Sequence, residues 1–218
     1  LSGAGRFETG RVVGAVTVEE GTTNLIMNSG FETGAALPWT VFAGNWATSL
    51  VTPRAGLYSL RCTLANSQEE QIVAGITAGV TYVLSGWIMT SGANIVTLRV
   101  NWQNAAHGLT GNMQVTGTGA AWARKSVIGA APALTTHAHI LIMADAAGGT
   151  YFADDIQLES KAYLTSTVPA VADVGTQGVR AAETLTIPTH HFIGTAEGTF
   201  ESAVYLDRAP GTQSQYVL

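Results

Sequence analysis

From Val96 to Gln103 the chain alternates without a break. Val96, Leu98, Val100 and Trp102 are apolar, and Thr97, Arg99, Asn101 and Gln103 are polar. Successive side chains of a strand point to opposite faces, so this segment has one face for a core and one for water or a ligand. A helix would scatter both sets around its circumference. Short segments of similar character recur roughly every 10–15 residues, separated by Gly, Asn, Thr, Ser and Pro, and a 3.6-residue period is nearly absent. Strands are expected over residues 24–27, 46–50, 58–64, 69–76, 81–90, 94–103, 112–116, 121–128, 137–144 and 151–158. That pattern predicts an all-β sandwich or barrel.

Composition narrows the function. Only 11% of the 218 residues are charged, against about a quarter in ordinary soluble domains. A surface of Thr, Ser, Asn and Gln fits this balance, and so does a subunit packed inside a larger assembly. The net charge of −5 with no Lys/Arg cluster argues against nucleic acid, whose phosphates need clustered cations. No apolar run approaches the roughly 20 residues of a membrane-spanning helix. Cys62 is the single cysteine, which excludes an intrachain disulfide and a thiolate zinc cluster and reads as a small buried hydrophobe. The chain starts at Leu1 without an initiator Met and ends at Leu218 within a strand-like run, so both ends are expected to be cut from something longer.

Four parts are expected. Residues 1–23 form an N-terminal arm or the end of a preceding β-domain, with a strand over 11–18 before Glu19-Glu20. Residues 24–161 form the main domain. Residues 162–182, rich in Thr, Val, Pro and Ala, read as an extended linker. Residues 183–218 form a C-terminal β segment with a strand near 199–206, too short for an independent sandwich.

Within the main block, NLIMNSGFE at 24–32 with Trp39, RAGLYSLR at 54–61, YVLSGWIMT at 82–90, Trp122, and YFADDIQLE at 151–159 follow in order. In this succession the chain resembles carbohydrate-binding modules of the family 4/9 type. The resemblance implies a jelly-roll β-sandwich of two antiparallel sheets, here with extended N- and C-terminal arms. The flanks VEEGTTN at 18–24 and VRAAETLTIP at 179–188 resemble segments of bacteriophage tail-fibre and virion surface proteins, where such modules alternate with lectin-like domains. EGTFESAVYLD at 197–207 would then begin such a lectin-like domain.

Two constellations stand out. In residues 152–158, strict alternation puts Asp154 on the face of Phe152, Ile156 and Leu158 and puts Asp155 in solvent. A carboxylate among core residues is costly unless it is paired, hydrogen-bonded or bound to metal. Modules of this type hold a structural calcium between a first-strand Glu and a last-strand Asp, so the resemblance implies Glu32 and Asp154 as ligands, with carbonyls from residues 53–57. The other reading is that both carboxylates accept backbone N–H groups. The second constellation is Trp87 beside Arg99, Asn101, Gln103 and Gln114. A flat ring against a pyranose and planar amide or guanidinium groups for its hydroxyls are what sugar recognition requires. The other reading is a solvated sheet face or a subunit contact.

Other residues point away from chemistry. His137 and His139 share a strand face and His190-His191 adjoin, but no carboxylate or cysteine stands at a matching spacing, so solvated or core-edge histidines are expected. Glu69 and Glu70 are adjacent and on a strand face opposite ways, unlike the facing carboxylates of glycoside hydrolysis. There is no Gly-x-Ser-x-Gly elbow, phosphate loop or His-Glu-x-x-His. The expectation is a non-enzymatic virion structural protein, a capsid decoration, head-fibre or tail-fibre component. It would contact other virion subunits, form a homo-oligomer and meet a cell-surface glycan. The alternative is the carbohydrate-binding module of a secreted polysaccharide-degrading enzyme.

Overall fold

A computed structural model describes residues 20–168 and 177–182, together with the backbone of two short strands, Arg6–Glu8 (β1) and Arg11–Val13 (β2), which pair antiparallel. The chain divides into units Leu1–Glu183 and Thr184–Leu218. The expected strand near 199–206 and His190-His191 lie outside the described residues, as do residues 14–18 of the expected N-terminal strand.

The remaining strands are β3 (Thr22–Met27), β4 (Thr40–Ala43), β5 (Ala47–Ser49), β6 (Ser59–Cys62), β7 (Gln68–Ala74), β8 (Thr81–Thr90), β9 (Val96–Gln103), β10 (Leu109–Gly117), β11 (Ala123–Ala130), β12 (His137–Ala144), β13 (Tyr151–Glu159) and β14 (Gln177–Arg180). They form two five-stranded antiparallel sheets, ordered β10-β9-β12-β7-β4 and β11-β8-β13-β6-β5, and a separate β14-β3 ribbon. The all-β expectation and the antiparallel sandwich are both met. No helix of the described residues is long and apolar enough to cross a membrane.

The core lies between the two five-stranded sheets. From β9 come Val96, Leu98, Val100 and Trp102, each at most 1% exposed. They meet Tyr82, Leu84 and Ile88 of β8, with the Tyr82 and Trp102 rings 5.5 Å apart. Gly86 continues the inward face of β8. A Cβ there would lie 2.5 Å from Ile156 Cδ1 and 3.0 Å from Leu98 Cδ1, so a bare backbone is what lets the two side chains approach. Cys62 is buried, as expected.

The first and last strands of the main block are tied through Asn24. Its side-chain amide donates to the Ile156 carbonyl at 3.0 Å, and its Oδ1 accepts the N–H groups of Ile26 at 3.1 Å and Leu158 at 2.9 Å. Gln71 does the same for the other sheet. Its Oε1 accepts the Met27 N–H and its Nε2 donates to the Met27 carbonyl, both at 3.0 Å. Two buried amides thus stand in for strand pairing and hold β3 to both sheets.

The stretch expected to be a linker is structured where it is described. Residues 163–168 run over the outer face of β13, with Thr165 and Val168 buried, and β14 pairs with β3.

Candidate functional site

The outer face of β10-β9-β12-β7-β4 carries the polar half of the β9 alternation. Its register places residues in rows across the strands: Gln114–Arg99–Leu141–Glu70–Thr40, then Asn112–Asn101–His139–Ile72, with Gln103 beside His137. Arg99, Asn101, Gln103 and Gln114 therefore come together as the alternation predicts.

The histidines do find a carboxylate, contrary to expectation. Glu70 lies 69 positions from His139 in sequence, yet its Oε2 is 2.6 Å from His139 Nε2. Gln103 Nε2 lies 3.4 Å from His139 Nδ1, and Gln103 Oε1 lies 3.2 Å from His107 Nδ1. The arrangement that satisfies every atom is one directed chain. His107 donates to Gln103, Gln103 to His139, and His139 to Glu70. The His107 ring also lies 4.8 Å from that of His137. The chain fixes the Gln103 amide between two histidine rings. Only the sheet order, which sets β7 beside β12, creates it.

Trp87 is not part of this face, which corrects the expected ring platform. β8 and β9 are consecutive in sequence but belong to opposite sheets. Trp87 is on the outer face of the second sheet, opposite Arg124 and Asp154. The Arg54 guanidinium lies 4.2 Å above its ring centroid, and its indole N–H donates to Thr167 Oγ1 at 3.4 Å. Residues 163–168 cover the neighbouring positions. Arg124 donates to the Thr165 carbonyl at 2.6 Å, and Gln157 Oε1 accepts the Val168 N–H at 2.9 Å. β13 is consequently buried along its whole length. Among the described residues, one outer face is closed by the chain itself and the other is open.

The carboxylate constellation also differs from strict alternation. A bulge between Asp154 and Gln157, with Asp155 at φ +47°, pairs Asp154 with Trp87 and returns Ile156 to the core. Asp154 therefore faces outward under the covering loop, and Asp155 is buried rather than solvated. The loop between β5 and β6 wraps both Asp154 and Glu32. Glu32 accepts the N–H groups of Leu57 at 2.8 Å and Tyr58 at 3.3 Å, and Asp154 accepts those of Arg54 at 3.0 Å and Asp155 at 2.8 Å. Gly56, at φ +66°, would set a Cβ 2.2 Å from Glu32 Oε1. Arg54 pairs with Asp155 at 2.7 Å. Burial pushes Asp154 up to about 7, with the Asp155 charge adding to the rise. Burial also raises Asp155, the Glu32 charge adding to this and Arg54 opposing it.

Calcium takes about six to eight oxygens, and here Glu32 and Asp154 face N–H donors. Among the described residues no three His, Cys, Asp or Glu side chains converge as metal ligands. An ion would thus depend on carbonyls of the wrapping loop. Three carboxylates, Glu32, Asp154 and Asp155, crowd here beside Arg54, and the Arg124 charge also acts on Asp155.

The comparisons with known proteins bear on the fold. No family model matches the sequence, and no curated protein does. Among solved structures, one titled Family 16 Carbohydrate Binding Module-2 superposes with a TM-score of 0.54 at 20% identity, over 62% of this chain and 99% of its own. The fold is the jelly roll of carbohydrate-binding modules. A CBM22-1 xylan-binding domain from Paenibacillus barcinonensis Xyn10C gives 0.51 at 17% identity, over 67% of this chain and 100% of its own. The enzymatically active domain of bacteriophage CBA120 tailspike protein 4 gives 0.54 at 11% identity over 62% of this chain, which spans 21% of that structure. The likeness to such modules read from the motif order thus holds at the level of fold.

Proposed function

We propose that this jelly roll is a non-catalytic glycan-adhesion module of a virion surface protein, a decoration, head-fibre or tail-fibre component. The observation that carries the binding role is the open outer face of β10-β9-β12-β7-β4. Asn101, Gln103, Arg99 and Gln114 stand there in register, and Gln103 is held by His107 and His139. Planar amides fixed by their neighbours can meet pairs of sugar hydroxyls with little ordering cost. The virion setting is supported by the low charge density and the phage-like flanks.

A glycan array tests the binding role. The double variant Asn101→Ala/Gln103→Ala should weaken any array hit at least tenfold, and Trp87→Ala should leave it nearly unchanged, since Trp87 lies in the covered sheet. A hit lost only in Trp87→Ala would place the site elsewhere. Mass spectrometry of purified virus particles tests the setting. Absence from particles, with secretion beside a polysaccharide-degrading domain, would favour the alternative.

A structural calcium at Glu32 and Asp154 belongs to the same proposal, as relief for the crowded carboxylates. EDTA should lower the melting temperature by several degrees, and added calcium should restore it. An unchanged melting temperature would mean that the N–H bonds alone close the clamp.

A further inference from the structure

Arg99, midway along β9 on the open face, has no anion among the described residues. Its cross-strand neighbours are Gln114 and Leu141, and its diagonal neighbours are Asn112, Thr116, His139 and Met143. None is a carboxylate. Glu70 stands in the same row beyond Leu141, but its carboxylate is taken by His139 at 2.6 Å. Among the described residues Arg99 makes no ion pair or side-chain hydrogen bond, and its Nε is buried without a partner. Arg54 and Arg124 each have partners, and Arg61, whose Nε is likewise buried without a partner, lies on β6 of the other sheet.

A half-buried guanidinium with an unpaired inner nitrogen carries a desolvation cost that a bidentate carboxylate would offset. The surroundings limit what could bring that carboxylate. The outward residues of β10, β9, β12 and β7 from Gln114 to Glu70 and from Asn112 to Ile72 include no Trp, Tyr or Phe. A ligand at Arg99 meets hydrogen-bonding groups and charge first, and the exposed Phe42 lies at the far edge of the face, on β4. Asn112, Asn101 and Gln114 flank Arg99 and suit hydroxyl groups.

We infer that the open face is selective for acidic glycans, with Arg99 gripping the carboxylate of a uronic-acid residue and the flanking amides holding its hydroxyls. This rests on the open face being the glycan site. The net charge of −5 gives no long-range attraction for polyanions, so the preference is a contact effect at Arg99.

The test uses calorimetry on the full chain with oligogalacturonate, oligomannuronate and glucuronoxylan oligosaccharides, each beside its carboxyl-reduced counterpart. At least one acidic oligosaccharide should bind ten or more times tighter than its reduced form. Arg99→Gln should remove that gap while keeping the melting temperature, Arg99→Lys should keep part of it, and Arg61→Gln should leave it intact. Equal binding of acidic and reduced forms would overturn the inference and leave the glycan reading standing. No binding of either form would overturn both. A gap that survives Arg99→Gln, or is lost in Arg61→Gln, would place the anion site elsewhere. Equal binding of dextran sulfate would reduce the effect to unspecific charge attraction and overturn it too.

Discussion

Asn24→Ala should lower the unfolding free energy by about 4 kcal/mol, a large part of the ~5–15 kcal/mol that holds a domain together. The side chain is 1% exposed and serves three backbone groups, the Ile156 carbonyl and the N–H groups of Ile26 and Leu158. Alanine leaves all three buried without partners, at about 1–3 kcal/mol each. Gln177→Ala is the control, because Gln177 makes a comparable bond to the Leu25 carbonyl from an exposed position and should cost under about 0.5 kcal/mol. Chemical denaturation reads both. A loss below about 1 kcal/mol for Asn24→Ala would mean that water replaces the amide and that β3 is held by packing.

Glu69→Gln should act the other way and depend on pH. Glu69 is fully buried on the inner face of β7, and neither carboxyl oxygen has a partner among the described residues. Burial pushes its pKa from 4.5 up to about 7, with the Glu70 charge adding to the rise. The unfolded chain releases this proton near pH 4.5, and the folded protein holds it to about pH 7. Between those values the folded state binds more protons, so its stability falls as pH rises. The cost is absent below pH 4.5 and complete above about 7, and the gap between the two pKa values corresponds to roughly 3 kcal/mol. Glutamine cannot ionise. The variant should match the parent near pH 4 and exceed it at pH 8 by up to about 3 kcal/mol. Asp154 titrates in the same window, so the difference between the two stability profiles isolates Glu69. Parallel profiles from pH 4 to pH 8 would show that Glu69 is ionised in the fold and finds a partner.

Period-2 alternation made the strands legible, and β8 and β12 span the residues expected of them. It also gave the opposite facing of Glu69 and Glu70 and the polar set on β9. It reports which side of a strand a residue takes, not which sheet that strand joins. Trp87 and Arg99 sit on neighbouring segments of sequence, but the chain crosses between sheets from β8 to β9. For the same reason the Glu70–His139 pair was hidden, since it exists only because β7 lies beside β12. Alternation also fails at a bulge, as at Asp154 and Asp155, where nothing in YFADDIQLE marks the extra residue. β4 is not legible in the sequence because it is a four-residue edge strand with an irregular register to β7, nor is β14, which lies in a stretch of linker-like composition.

The β14-β3 ribbon has a mechanical consequence. Thr22 pairs with Arg180, so the chain comes into the sandwich and leaves it at one point, side by side. Glu20 joins them, its carboxylate taking Lys161 at 2.9 Å and its carbonyl the Arg180 guanidinium at 3.2 Å. Tension applied through the flanking chain would first peel this ribbon, one residue pair at a time, and would reach the two large sheets only after it had opened. The ribbon is a tether for the sandwich, and load on the flanking chain bypasses the open face.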